Sequence, residues 1–394
     1  MPKRILGRVT SLYDGPLGTL RPDIAQLAWL CGAPDSLPLL PPTSLVARLD
    51  LLEAKVNTAL KAQGCHSSVR WSDLVLGRAG LRGFSRQGYQ SANGSCHVVT
   101  SPVGDLAINL ARPSDADLLT AALGSAPLNE PHDVLDLVER HLTPGALGMA
   151  WEMGVPIARV GESRHARPSV VTTAYAALRE RWSLEGARVV DLSSLWAGPL
   201  AARLLGLSGA EVIKVEGHGR LDGARQDSKF YAWLHEDKQN CLTFDFSSPV
   251  AMDTLRDLLA SADVVIESSR PRALRHVGCA PEQIEAPPGQ IWLSITGYGR
   301  HDAVAHRVAF GDDAAVAAGL VVRDDNANPM FLGDALSDPM AGMIGAAAVL
   351  EAAQRGGGVL IDVALSAVGG APHEALPSVP TELAQAPMLP RPWD

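Results

Sequence analysis

From residue 187 onward the apolar positions switch repeatedly between a period of two and a helical period. Val189-Val190-Asp191-Leu192 is a β-branched run that predicts a buried strand, and Trp196-Ala197-Gly198-Pro199 predicts a turn. Leu200 to Leu207 is apolar at helical spacing until Gly209 stops it, and Val212-Ile213-Lys214-Val215 predicts a second strand. Strand, turn, helix and returning strand make a βαβ unit with parallel strands and a right-handed crossover. Ligands in such sheets lie beyond the carboxyl ends of the strands, which puts the Ser194 to Pro199 turn at the rim of a binding cleft.

The alternation continues. Residues 217–229 read as a glycine-rich, charged loop, and Leu242 to Phe246 as a strand. Ser248-Pro249 starts a helix that runs through Met252 to Leu259, with serine as cap and proline at the first helical position. Ala262 to Glu267 and Ile291 to Thr296 are further strands, Asp338-Pro339 starts a long alanine-rich helix through Ala353, and Val359 to Ala364 is the last strand. The expectation is an α/β domain over residues 186–370, built on a doubly wound, mostly parallel sheet. Residues 371–394, rich in proline and without period, read as a tail.

The first 165 residues have a different texture and predict a smaller α+β module. Ser44 to Gln63 is helical in period, with Ser44 as N-cap and Gly64 as stop. Ser91 to Leu110 reads as a hairpin with Asn93-Gly94 and Val103-Gly104-Asp105 in its turns, and helices follow after Ser114, around His132 to Leu142 and around Gly145 to Met153. Residues 1–41 show no clear period. Short polar and basic residues at Arg159 to Ser169 mark the boundary, with Thr172 to Trp182 as a lead-in helix.

Composition narrows the class. A chain of 394 residues is long enough for two domains, and a net charge of −9 argues against a nucleic-acid partner. The five cysteines are scattered without metal-type spacing, as in a reducing compartment. No apolar run approaches ~20 residues, and the amino terminus lacks a signal-type segment. The expectation is a soluble, cytoplasmic protein with no membrane partner.

Familiar catalytic signatures are missing: no G-x-S-x-G elbow, no P-loop, no G-x-G-x-x-G in the opening turn and no H-x-x-x-H pair. What is left is carboxylates at element ends. Gly333-Asp334-Ala335-Leu336-Ser337-Asp338-Pro339-Met340-Ala341-Gly342 puts Asp338 at a helix start, where the positive end of the helix favours its ionised form, and Gly342 leaves room for close approach. A carboxylate held beside a cleft can attack an acyl carbonyl. Aspartate is also an ordinary helix cap, and the local pattern does not separate the two. Lys238 reads either as a phosphate ligand or as a solvated loop charge. Arg270, Arg272 and Arg275 follow a strand end, either as a phosphate-binding cluster or as a solvated helix start. Trp196 reads as a cover for an aromatic ligand or as core.

Several linked stretches resemble the class III CoA-transferases: Arg188 to Glu216, Leu242 to Pro249, Ala262 to Gly278, Leu293 to Gly299, Ala309 to Leu320, Gly333 to Leu350 and Gly356 to Leu365. The resemblance implies a Rossmann-like large domain with a small domain, in homodimers whose chains interlock. It implies an aspartate nucleophile four residues before a glycine, here Asp338 and Gly342, with Asp334 as runner-up. The implied reaction moves CoA between an acyl-CoA and a carboxylic acid through an aspartyl anhydride and an aspartyl-CoA thioester, with backbone amides near Gly342 stabilising the oxyanions. CoA is then a substrate, and no cofactor is bound permanently. Implied CoA contacts are Ser194, Leu195, Trp196 and Ala197, then Lys238, then Ser268 and Ser269, then Arg275 or His276.

The chain also departs from the pattern. Gly217 stands where a basic residue often follows the second strand, and the family's lysine aligns with Lys238 or Gln239. The racemase branch uses a histidine where this chain has Phe310 or Gly311, which argues against racemisation; an acyl-CoA racemase or a related lyase is the second reading. A third reading is a catalytically silent CoA-binding homologue or subunit. About 185 residues precede the matching domain. Ser91 to Gly94 and Gly154 to Val160 are similar to small-domain stretches that elsewhere come later, so the expectation is a permuted order with the small domain first.

Overall fold

The computed structural model describes residues 13–14, 19–126, 131–163, 167–236, 238, 240–300, 303–369 and 383–391. In the leading part, a short antiparallel pair, β1 (Tyr13–Asp14) and β2 (Thr19–Leu20), precedes three helices, α1 (Pro22–Trp29), α2 (Thr43–Ala62) and α3 (Trp71–Arg82). The apolar face read over residues 44–63 is buried as α2, but the helix begins at Thr43 with Pro42 at its N-cap, and Ser44 does not cap it. The predicted hairpin is present as β3 (Cys96–Ser101) and β4 (Gly104–Asn109), and β5 (Ile157–Arg159) adds a third antiparallel strand. Helices α4 (Asp115–Ala122), α5 (Pro131–His141) and α6 (Pro144–Glu152) cover this sheet around a small core of Leu106, Ile108, Leu119, Val138 and Leu147.

The segment expected as a lead-in helix is instead an edge strand, β6 (Val170–Ala174), paired antiparallel to the last strand. Its run of valine and threonine favours extended backbone over helix, and the open edge of a sheet supplies the partner. Then come β7 (Arg188–Asp191), α7 (Ala197–Gly206), β8 (Glu211–Gly217), α8 (Ser228–His235), β9 (Asn240–Phe244), α9 (Pro249–Ala260), β10 (Val264–Glu267), α10 (Pro271–His276) and β11 (Ile291–Thr296). A short helix α11 (Gly311–Ala317), a hairpin β12 (Val321–Arg323) and β13 (Pro329–Phe331), the long α12 (Ser337–Ala353) and β14 (Val359–Ala364) complete the domain. Ser248 caps α9 as expected, accepting from the Ala251 amide at 3.4 Å.

The large sheet runs in the order β6-β14-β11-β10-β7-β8-β9, and every pairing in it except that of β6 is parallel. Helices cover both faces. Val189, Val264, Ile266 and Leu293 point to the side of α7 and α12, while Val190, Val265 and Trp292 point to the side of α9. The strand order reverses between β7 and β10, the place where parallel α/β sheets open a crevice. α12 is buried on nearly all sides, as expected for a helix that is apolar all round. Its glycines set the approach: a Cβ on Gly345 would lie 3.0 Å from Leu293 of the sheet, and one on Gly342 would lie 2.7 Å from the Ala197 carbonyl.

The segment read as a free tail is partly strapped down. Residues 383–391 cross α3, where a Cβ on Gly80 would fall 2.0 Å from the Met388 carbonyl. The Gln385 amide reaches the Ala25 carbonyl at 3.1 Å, the Met388 amide reaches Gln26 Oε1 at 3.1 Å, and Arg391 reaches Asp73 at 2.6 Å. The rest of the predicted tail, 371–382 and 392–394, lies outside the described residues, as does Gln239.

Candidate active site

α12 follows a tight loop in which Gly333 (φ +73°) and Ala335 (φ +44°) take left-handed backbone. For alanine this costs about 1–2 kcal/mol, so the loop must be held from outside. Two aspartates hold it. Asp334, fully buried, receives Arg78 of α3 bidentately, Nε on Oδ2 at 2.8 Å and Nη2 on Oδ1 at 2.5 Å. Asp312 of α11 accepts the Ala335 amide at 3.0 Å.

Asp338 is the second residue of α12; Leu336 stands at the N-cap and Asp338 does not cap the helix. Its half-buried carboxylate has no hydrogen-bond or ion-pair partner among the described residues. One oxygen lies directly over Gly311, where a Cβ would sit 2.5 Å from Oδ2. Burial pushes Asp338 up to about 7; Arg78 opposes the shift, and Asp312, Asp313 and Asp334 add to it. Burial and the Asp334 charge push Asp312 up to about 6, against Arg78, the Ala335 amide and Asn93. Burial pushes Asp313 up to about 7, against hydrogen bonds from Asn109 and the Phe310 amide.

The leading module supplies part of this support. Asn93, in the first turn of its hairpin region, donates to Asp312 at 3.0 Å, and Asn109 of β4 donates to Asp313 at 3.0 Å. Asp313 Oδ2 and Asn109 Oδ1 are both buried without a hydrogen-bond partner among the described residues. A proton on the Asp313 carboxyl would give the pair an amide–acid match, consistent with its upward shift. Arg78, Asn109, Asp312 and Asp313 were not singled out in the sequence; Asn93 was, as a turn residue and as part of the small-domain-like stretch Ser91 to Gly94.

The opening turn is the second wall. Leu195 adopts φ +71°, is partly exposed, and donates its amide to Asp222 at 2.9 Å. The exposed Ser194 donates its amide to Ser268 Oγ at 3.3 Å, so two of the stretches expected to touch CoA meet across the sheet's reversal point. The neighbouring Ser269 amide is turned to Glu267 at 2.7 Å. Trp196 does not present its ring to the cleft. It is wholly buried, edge-on to Phe230 with centroids 5.3 Å apart, and the Arg78 guanidinium lies 4.7 Å from its centroid. Ala197 is buried at the start of α7, and its carbonyl abuts Gly342. Gly342 thus makes room for backbone and not for substrate. In the sixth position of α12 its amide belongs to the helical ladder, so it is not free to meet an oxyanion.

Lys238 is no solvated loop charge. Its amine is buried against Asp191 Oδ2 at 2.8 Å, beneath the turn, with Lys214, Asp222 and His235 in the same network. Burial lowers Lys238 to about 8 despite Asp191, and the Lys238 and Lys214 charges hold Asp191 far below the usual carboxylate range against its burial. This network fixes the floor of the turn. Arg275 and His276, at the end of α10, are exposed, and Arg275 is paired with Glu282.

Residues 184–373 match CoA-transferase family III. The match takes in just under half of the chain. Over 194 residues it is 31% identical to human succinyl-CoA:glutarate CoA-transferase, covering 45% of this chain and 44% of that protein. It is 33% identical over 206 residues to the succinyl-CoA–L-malate CoA-transferase alpha subunit of Chloroflexus aurantiacus, covering 48% and 47%. A crystal structure of a CAIB/BAIF family protein from Brucella suis aligns at 27% identity and a TM-score of 0.43, over 48% of this chain and 55% of that one. The chain thus spans about half the length of the curated relatives it matches. Within the family segment lie Asp338, Asp334, Gly342, the opening turn, Lys238 and the β10 end. Arg78, Asn93 and Asn109, which support the aspartate cluster, lie outside it. Among the described residues no helix is long and apolar enough to cross a membrane, and no side-chain cluster could hold a metal ion.

Proposed function

We propose that this chain moves CoA between an acyl-CoA and a carboxylic acid, with Asp338 as nucleophile. The observation that carries the reading is the Asp338 carboxylate: half-buried, unpartnered among the described residues, and set beside the wall formed by α7. Its three acidic neighbours each have a hydrogen-bonding partner, and Asp334 is taken by Arg78. Raised to about 7, Asp338 is ionised in a substantial fraction at neutral pH and more basic than an ordinary carboxylate.

A carboxylate oxygen of Asp338 attacks the thioester carbonyl, the C–S bond breaks, and CoA thiolate leaves an acyl-aspartyl anhydride. The thiolate attacks the aspartyl carbonyl and expels the donor acid, leaving an aspartyl-CoA thioester. The acceptor carboxylate attacks that thioester and frees the thiolate again. Attack of the thiolate on the acceptor's acyl carbon then gives the new acyl-CoA and restores Asp338. The CoA would lie over Ser194 and Leu195 and beside Ser268. Racemisation is disfavoured because Gly311 packs on Asp338 in the segment where a second proton-transfer group would be needed. The same reading takes the leading module as the small domain in permuted order, supported by Asn93 and Asn109, and the working unit as a cytoplasmic homodimer.

The test is mass spectrometry of the intact protein after incubation with a panel of acyl-CoAs, followed by hydroxylamine or borohydride trapping. The adduct should map to Asp338 and vanish in Asp338→Ala. An adduct elsewhere, or full turnover by that variant, would sink the assignment. Sedimentation of the purified chain checks the dimer.

A further inference from the structure

Asn93 lies just before β3 and Asn109 ends β4, and these two amides of one hairpin meet the adjacent Asp312 and Asp313 of α11 in opposite ways. Asn93 Oδ1 is occupied by the Ser91 hydroxyl at 2.9 Å and by the Ser95 amide and hydroxyl at 2.8 Å, so only its NH2 group faces Asp312. Asp312 thus meets a donor on each oxygen, Asn93 on Oδ2 and the Ala335 amide on Oδ1, both at 3.0 Å. Donors alone suit an ionised carboxylate. Asp313 is arranged differently: its Oδ1 accepts both Asn109 Nδ2 at 3.0 Å and the Phe310 amide at 2.9 Å, while its Oδ2 and Asn109 Oδ1 are buried with no hydrogen-bond partner among the described residues. Asn109 is 1% exposed and Asp313 0%, so bulk solvent does not reach these oxygens. Two acceptors left over on side chains already joined by one hydrogen bond lack only a proton between them. The titratable groups that act on Asp313 are Asp312 on its own helix, Asp338 of α12, Cys96 of β3 and Tyr298 beyond β11, and none of these can carry a positive charge. Arg78 is bound by Asp334 and Arg307 by Glu162.

We propose that Asn109 and Asp313 are positioning residues for the transfer, a neutral amide–acid clamp with its proton on Asp313 Oδ2 and directed to Asn109 Oδ1, through which the leading module sets α11 against Asp338. Asp313 also holds the amide of Phe310, and the next residue, Gly311, is the one packed on Asp338 Oδ2. The clamp therefore fixes one wall of the nucleophile. Asn93, acting through Asp312 and the left-handed Ala335, fixes the turn that leads into it. The two amides sort the acids, a charged one at Asp312 and a neutral one at Asp313, and so keep a further negative charge away from Asp338. Burial raises the Asp313 carboxyl, in keeping with a proton held there. The clamp stands on these contacts alone; its effect on turnover rests on the transfer reading above.

Infrared spectroscopy of the full chain reads the proton directly and needs no substrate. At about pH 6 the parent should show a protonated-carboxyl band that Asp313→Asn lacks, and Asn109→Leu should shift that band because it removes the bonded oxygen. Asp313→Asn can keep both bonds with Asn109, so it should melt with the parent at about pH 4 and higher than the parent at about pH 8, where only the parent loses the proton. Asn109→Asp sets two acids face to face and should lower kcat about ten-fold, with KM for the acyl-CoA that labels Asp338 little changed. Exchanging the pair, Asn109→Asp with Asp313→Asn, restores one amide and one acid and should recover most of that loss, which two independent packing contacts would not do. If Asn109→Asp does not fold, the isosteric Asp313→Asn keeps the test open. An unchanged carboxyl band in Asp313→Asn, or an exchanged pair no better than Asn109→Asp alone, would overturn the clamp. Loss of the band without labelling at Asp338 by any acyl-CoA would remove the transfer reading and leave the clamp; labelling with an unchanged band would do the reverse.

Discussion

Gly311 and Asp338 touch: a Cβ on Gly311 would stand 2.5 Å from Asp338 Oδ2 and 2.7 Å from the Ala335 carbonyl. Gly311→Ala must therefore push the carboxylate or the left-handed Ala335 turn aside. Overpacking of this kind costs about 1–3 kcal/mol of stability, and a displacement of about 1 Å in a nucleophile costs roughly 100-fold in rate. The expected outcome is a folded protein by circular dichroism whose acyl-CoA turnover has fallen by about that factor. Parent-like turnover would place the reacting group elsewhere.

The pH dependence of activity follows from the same carboxyl. Attack needs the ionised form, and Asp338 is raised to about 7. Plotted against pH, kcat/KM should climb tenfold per unit on the acid side and level off above about 7. A rise centred near the ordinary aspartate value would contradict the buried, acid-crowded setting.

Stability should run the other way. Asp312, Asp313 and Asp338 are raised to about 6, 7 and 7, so between about 4 and 7 the native state binds more protons than the unfolded chain. Their stabilising protonation is complete below about 4 and is lost as pH rises through 7. Asp338→Asn, which cannot ionise, should melt like the parent at pH 4. At pH 7.5 it should be more stable by about 1–2 kcal/mol, a figure reduced for the partial exposure of the group. Thermal melts of both proteins across that range decide it.

Arg78→Met leaves Asp334 buried and unpaired, which costs about 3–5 kcal/mol. The added change Asp334→Asn should recover part of this loss, measurable as a coupling in denaturant unfolding. Arg78 also restrains the Asp338 carboxyl, so the double variant should keep its pH–activity rise displaced to higher pH, which a purely structural pair would not do.

The regular elements of the large domain were readable because each strand is a β-branched run and each helix has its own period: β7, α7, β8, β10, β11 and β14 lie where the pattern puts them. The errors have local causes. Val170 to Thr173 is a β-branched run that favours a strand, but it borders a loop, and without the partner strand β14 in view the stretch from Thr172 reads as a lead-in helix. Trp196 and Gly342 sit in a motif that marks a ligand turn and a nucleophile helix, yet each is used for packing against Arg78 or Ala197. Lys238 looked solvated because it stands among polar neighbours, while its partner Asp191 is 47 residues away. Arg78 gave no sign at all, since on α3 it is one more basic residue of an amphipathic helix, and the carboxylate that explains it is 256 residues distant.

That separation has a consequence for how the protein is made. At about 5–20 residues per second a ribosome takes roughly 13–50 seconds to travel from Arg78 to Asp334. During that interval the leading helices are complete but carry a guanidinium whose only bidentate partner has not been synthesised. The strap of residues 383–391, which clasps the same helix, is made later still. The acidic pocket can therefore close only once Asp334 has been made, and a chain stalled before it would leave Arg78 without the carboxylate that allows its burial.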